Sequence, residues 1–322
     1  MRRTWTAPSA PTVIAAMAMI ALVVATMVGL GRSPVAVAQD EPIQVVTTIG
    51  QIADIAQNIG GDLVAAQALM GPGIDPHLYQ ATEGDINTLL EADIILYNGL
   101  NLEGRMADIL VQLAGDRAVV AVTDTIPEDL LLEPAEFQGQ YDPHVWFDPT
   151  LWAYTVERTA AALSGLDPDN AETYAANAEA YLTELATHDE EWLAKLATIP
   201  EENRTLVTAH DAFNYFGGHF GLEVAGLQGI STESEAGVGD VQAIVDEIIE
   251  AGIPAIFVES SVSPRTIEAV QAAVRDAGME VEIGGELFSD AMGDAGTPEG
   301  TYIGMVDHNV NTITAALGGT VD

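Results

Sequence analysis

Asp142-Pro143-His144-Val145-Trp146-Phe147-Asp148-Pro149 stands just before the middle of the chain, and Asp75-Pro76-His77-Leu78-Tyr79 echoes it. In both places a histidine follows a proline that follows an aspartate, with bulky apolar residues behind. Proline fixes its own φ and pushes the residue before it into an extended shape. Each histidine is therefore aimed from a stiff loop rather than from a helix face. One such segment alone reads as a turn whose histidine packs. Two together suggest a site that needs directed ring nitrogens, and a metal ion is the first candidate.

Outward from these turns the chain alternates apolar runs with helical patterns. Towards the amino end, strands are expected at residues 43–49, 63–70, 93–97 and 118–122, with helices at 51–59, 83–92 and 102–113 between them. Residues 123–141 read as irregular. After the second turn a helix is expected over 150–163, and Asp167-Pro168-Asp169-Asn170 is cap chemistry for another. Residues 171–199 contain no glycine or proline, and Tyr174, Ala178, Tyr181, Leu185, His188, Trp192 and Leu196 recur at spacings of three and four. A helix of that length spans roughly 43 Å and ends at Pro200. The alternation then restarts, with strands at 205–208, 222–227, 255–258 and 281–283 and helices at 212–216, 240–251, 264–277 and 299–317. The fold class is α/β: two lobes, each with a mostly parallel sheet flanked by helices, joined by a long rigid backbone helix. The expected division is 42–150, 151–200 and 201–322.

Residues 1–38 read as a signal peptide. Arg2-Arg3 is a short basic start, residues 12–30 are almost wholly apolar, and Ala36-Val37-Ala38 is a small-x-small cleavage signal. The chain is expected to be exported, periplasmic or extracellular, with an uncleaved segment serving as a membrane tether as the alternative. No cysteine occurs, which excludes disulfides, thiolate ligands and a lipid-bearing cysteine after the signal. Acids outnumber bases 49 to 10. Cleavage removes Arg2, Arg3 and Arg32 and no acid, so the mature charge is −49 + 7 = −42. Nucleic acid and anionic membrane surfaces need basic patches and are expected to be poor partners. The acids are scattered through a chain that is 48% hydrophobic, which fits a folded protein adapted to high salt rather than a disordered one.

His77, His210 and Asp290 each fall past the carboxyl end of an expected strand, where open α/β sheets bind ligands, and His144 falls at the start of the central helices. A cleft between lobes would bring all four together. Imidazoles with a carboxylate and no thiolate suit zinc, manganese or ferrous iron. The other histidines carry weaker expectations: His188 lies on the apolar stripe of the long helix, His219 follows a helix among glycines, and His308 lies within the last helix. Packing is the reading for His188, and none of the three is expected to be a ligand. No G-x-S-x-G elbow, H-E-x-x-H helix or G-x-G-x-x-G turn is present, and the single lysine, Lys195, has no glycine-rich loop before it. Asp211 beside His210 is the one candidate general base.

Four motifs, in order, carry a family resemblance: G-x-D-P-H-L-Y-Q at 73–80, D-P-H-V-W-F-D-P at 142–149, T-A-H-D-A-F-x-Y-F at 208–216 and G-G-E-L-F-S-D-A-M-G at 284–293. Together they make the chain similar to the TroA-like family, the metal-binding solute-binding proteins of zinc, manganese and iron ABC importers. The resemblance implies metal held between two lobes by His77, His144, His210 and Asp290. It also implies a monomer that delivers Zn2+, Mn2+ or Fe2+ as cargo to an ABC permease, and no enzymatic activity. Manganese-selective relatives commonly have glutamate at the third position, here His210. Zinc-dedicated relatives often carry a histidine-rich loop before the second histidine, whereas residues 123–141 contain none. A secreted metal-dependent hydrolase using the same cage is the alternative from another class, and an adhesin with incidental metal is a third. Histidine ligands bind metal unprotonated, so affinity is expected to fall below about pH 6.5.

Overall fold

The computed structural model describes residues 41–137 and 139–321; the expected signal segment lies outside them. The first lobe runs β1 (Ile43–Thr47), α1 (Gly50–Gly60), β2 (Val64–Ala68), α2 (Glu83–Glu91), β3 (Ile94–Tyr97), α3 (Ala107–Leu113) and β4 (Ala118–Ala121). Its four strands are parallel, in the order β2-β1-β3-β4. Neighbouring residues of β1 and β3, Val45 with Val46 and Ile94 with Ile95, are all buried. Successive strand residues face opposite ways, so both faces of this sheet are covered. Thr82 and Asp85 cap α2 reciprocally in a capping box.

The helix expected over 102–113 is shorter than its pattern suggests. Leu100 and Asn101 adopt positive φ (51° and 65°), a short 3-10 turn covers Gly104–Met106, and only α3 is α-helical. The cause is Glu103, whose buried carboxylate accepts from the Asn98 and Gly99 N–H groups at 2.7 and 3.2 Å and from the Thr48 hydroxyl at 2.6 Å. A side chain that satisfies loop amides competes with helix continuation.

Asp148 caps the next helix, α4 (Pro149–Leu166), by accepting from Thr150 N at 2.8 Å, with Pro149 at the first helical position. The long helix α5 (Ala171–Leu196) follows. Its 26 residues give roughly 39 Å, and the stripe Tyr174, Ala178, Tyr181, Leu185, Trp192 and Leu196 is buried.

The second lobe runs β5 (Thr205–His210), α6 (Asn214–Phe220), β6 (Glu223–Gln228), α7 (Val238–Ala251), β7 (Ala255–Glu259), α8 (Arg265–Asp276), β8 (Glu282–Leu287) and α9 (Tyr302–Ala316). The strands form two parallel pairs, β5–β6 and β7–β8, and β5 lies beside β7. Where β5 meets β7 near the site, the His210 N–H bonds the Glu259 side chain rather than a strand carbonyl. Two strands outrun their expected ends by more than one residue. β5 continues through His210, and β8 continues through Gly284-Gly285 to Leu287. A Cβ on Gly284 would meet Ala316 at 2.6 Å and the Phe257 ring at 2.7 Å, so glycine is what lets β7 and α9 close against β8.

One apolar core runs from the first lobe through α4 and α5 to α6 and α9, joining Val45, Trp152, Tyr174, Phe216 and Tyr302. A second, smaller core of Val207, Ile244, Ile248, Ile267 and Val270 lies under α7 and α8.

Candidate metal centre

The four sequence-chosen residues converge. His77 stands on the loop between β2 and α2, and His144 just before the short turn Val145–Phe147 that leads into α4. His210 is the last residue of β5, and Asp290 follows β8. All four are buried, and one potential ligand atom from each lies within 4.8 Å of the others. No other such group of three or more occurs among the described residues. The Nε2 atoms of His77 and His144 are 3.4 Å apart. Asp290 reaches His144 Nε2 with Oδ1 at 3.3 Å, and its Oδ2 lies 3.4 Å from His210 Nε2 and 3.9 Å from His77 Nε2.

Two carboxylates stand behind the rings. Asp142 Oδ1 lies 2.7 Å from His144 Nδ1, and Glu259 Oε2 lies 2.6 Å from His210 Nδ1. Each also accepts the N–H of the same histidine, at 3.0 and 2.9 Å. With Nδ1–H donated backwards, the Nε2 lone pair is turned into the cavity. Neighbours hold the fourth group too. The Trp146 indole donates to the Ser289 carbonyl at 3.1 Å, and Gln51 donates to the Asp290 carbonyl at 3.2 Å. Trp146 meets the His144 ring edge-on at 5.3 Å and stands beside Phe147, so this pair is the apolar wall behind His144.

Burial drives the His77 ring down to about 3, so it is neutral at ordinary pH. Burial acts the same way on His144, but Asp142 and Asp290 outweigh it and hold the ring up at about 9. His210 is held well above its ordinary value because Glu259 and Asp290 likewise outweigh burial. Burial would raise Asp290, yet the three rings, His210 foremost, keep it well below the usual carboxylate range. The cavity therefore offers an ionised oxygen and ring nitrogens whose protons a cation must displace. Two atoms facing it, His210 Nε2 and Asp290 Oδ1, are buried without a hydrogen-bond partner. Orphaned buried polar atoms are costly, and a divalent ion would satisfy both.

The remaining histidines lie elsewhere. His188 approaches Glu191 and Asp307 at 3.9 Å beside Trp192. His219 bridges Asp189 and Asp148 at 2.7 and 3.3 Å, and His308 lies 2.9 Å from the Glu286 carbonyl. Asp211, the candidate base, is turned away from the cage: its carboxylate accepts from Gly226 N at 2.9 Å, and burial raises it to about 6. Sequence reasoning missed Glu259, Asp142 as a ring partner, and Gln51. Asp142 carried a signal, because it heads an Asp-Pro-His turn. Glu259 carried none, being one acid among 49 at a strand end 49 residues from His210.

Comparison with known proteins gives the family. Residues 45–316 match the family model described as "ZnuA: Zinc-uptake complex component A periplasmic". The manganese-binding lipoprotein MntA of Bacillus subtilis is 47% identical over 301 residues, covering 94% of this chain and 98% of the relative. The zinc-binding protein TroA of Treponema pallidum is 51% identical over 284 residues, covering 88% and 91%. The solved structure of that periplasmic zinc-binding protein superposes with a TM-score of 0.84 at 50% identity, covering 86% of this chain and 99% of the other. The chain belongs to the ZnuA family of periplasmic metal-uptake components, the metal-binding solute-binding proteins of ABC importers.

Proposed function

We propose that His77, His144, His210 and Asp290 together capture one divalent transition-metal ion between the lobes, and that the loaded protein passes it to the permease of an ABC importer. The observation that carries this reading is the convergence of three imidazoles and one carboxylate, all buried, with one ligand atom from each within 4.8 Å of the others. On this reading residues 42–150 and 201–322 are the two lobes, and 151–200 is the rigid connection. The protein works outside the cytoplasm, as a monomer and without catalysis. Asp211, the one candidate base for a metal-bound water, is committed to the β6 backbone.

Zinc is expected to outbind manganese, by the usual order of divalent affinities. Raw affinity therefore does not name the cargo: one relative is named for manganese and the other for zinc. Rescue of a deletion strain by single metals does.

The ligand set is tested by metal titration of the chain from residue 39 onward. His144→Ala and Asp290→Ala are each expected to lose roughly 100-fold or more in zinc affinity, above what the loss of a supporting residue costs. Binding displaces protons from His144 and His210, both held above the ordinary histidine value, so apparent affinity is expected to keep rising with pH through about 9, the His144 value. This window lies above the one that an ordinary histidine would give. Variants that bind like the parent, or a flat pH dependence, would overturn the assignment.

A further inference from the structure

The two Asp-Pro-His turns are built alike and employed differently. In both, the aspartate accepts the N–H of the histidine two residues on, at 2.8 Å for His77 and 3.0 Å for His144. At the second turn the same carboxylate also grips the His144 ring, and Glu259 grips His210 in the same manner. No carboxylate reaches Nδ1 of His77 among the described residues. The free oxygen of Asp75 instead crosses to the other lobe, where it accepts from the Thr232 hydroxyl at 2.5 Å.

Thr232 lies in the segment between β6 and α7 and is buried, unlike its neighbours Glu233, Ser234 and Glu235. Glu233 pairs with Arg105 of the first lobe at 3.1 Å, and Arg105 donates in turn to the Leu78 carbonyl at 3.3 Å. Two adjacent residues of the second lobe thus bear on residues 75–78 of the first, on either side of His77. The Arg105–Glu233 pair is exposed, so it contributes little and salt screens it. The hydroxyl-to-carboxylate bond is sheltered and charge-assisted, and is the stronger of the two. The other three cage groups are held independently of this segment, His144 by Asp142, His210 by Glu259, and Asp290 by Gln51 with Trp146 steadying Ser289. Residues 71–74, which lead to His77, are exposed.

We propose that Asp75 and Thr232 form an interlobe latch that positions His77, and that this latch sets how fast the metal leaves. The inference rests on the ligand set proposed above. With the latch made, the loop carrying His77 is pinned from the far lobe and the cage is closed. With it broken, His77 is the one imidazole free to retreat, and the ion is left on three ligands. Thr232 is a positioning residue that acts through His77 and never touches the metal.

The test measures zinc release into excess chelator by stopped flow, for the chain from residue 39 onward and its variants. Thr232→Val removes the hydroxyl at constant shape and is expected to speed release about tenfold, the factor that one charge-assisted hydrogen bond carries. Thr232→Ser is expected to restore the parent rate, and Thr232→Val is expected to lower the thermal midpoint of the metal-free protein by no more than a few degrees. The double variant His77→Ala/Thr232→Val decides whether the effect passes through His77, and there the valine is expected to add nothing to the alanine. A parent-like release rate in Thr232→Val would overturn the latch. An equal acceleration in the His77→Ala background would do the same. If His77→Ala and His144→Ala both held zinc like the parent, the ligand set itself would fall and take the latch with it. Weakened zinc binding by the alanine variants with unaltered release from Thr232→Val would remove the latch alone.

Discussion

Glu259 shows what a carboxylate behind an imidazole contributes. It fixes the His210 ring by two bonds, to Nδ1 and to the backbone N–H, and it raises the basicity of the nitrogen that faces the cavity. Glu259→Gln keeps the shape and removes the charge. Zinc affinity is expected to fall about 10- to 100-fold with the fold unchanged, as read by competition against a chromogenic chelator and by circular dichroism. A parent-like affinity would mean that Glu259 only fills space. At this scale the sequence was legible where chemistry repeats at short range. The Asp-Pro-His rhyme exposed His77 and His144, because proline leaves so few ways to aim the next side chain. Asp290 could not be selected by spacing among 49 acids, and its place came from motif resemblance. Glu259, Gln51 and Thr232 act across 49, 239 and 157 residues, distances at which no local pattern survives.

His219 belongs to the scale of elements. It projects from α6, and its two ring nitrogens meet Asp189 of α5 and Asp148, the cap of α4. Burial would lower the ring, but the two aspartates outweigh it and hold it at about 9. A folded value above the unfolded 6.5 stabilises the protein fully below pH 6.5, and that contribution is lost as the pH rises through 9. After allowance for solvent screening the clamp contributes about 1–2 kcal/mol. The parent is therefore expected to be more stable than His219→Gln at pH 6 by a few degrees in Tm, with the gap closing by pH 10. A gap that is constant with pH would assign the residue to packing alone. Most elements were legible because their periods are long and unbroken, α5 above all, whose buried stripe matches the sequence pattern at every position but the half-buried His188. The misjudged boundaries share a cause. Residues 102–113, β5 and β8 all have ends set by tertiary partners, namely Glu103 on loop amides, Glu259 on His210, and Phe257 with Ala316 over Gly284.

The whole molecule sets a limit on how far the lobes can separate. Tyr302 of α9 stacks on Trp152 of α4 at 5.4 Å, donates its hydroxyl to the Trp146 carbonyl at 2.7 Å, and offers its N–H to Asp54 of α1 at 3.2 Å. The C-terminal helix is thereby part of the same core as the first lobe and the connecting helices. A wide hinge motion would uncover aromatic side chains of about 150–250 Å² each, which at about 25 cal/mol per Å² is roughly 4–6 kcal/mol apiece. Opening the segment around Thr232 breaks one hydrogen bond and one exposed ion pair, at about 1–3 kcal/mol. Loops therefore yield before lobes do. For residues 42–322 the radius of gyration is expected near 19 Å, and zinc loading is expected to change it by less than about 0.5 Å in small-angle scattering. The measurement belongs at high salt, because the net charge of −42 on residues 39–322 makes molecules repel one another at low ionic strength. Hydrogen exchange on the same samples should slow on loading in residues 71–78 and 229–237 and stay unchanged along α5. Contraction by more than about 1 Å, or protection spread along α5, would show that the shared core opens as a hinge and that the latch is not the first thing to move.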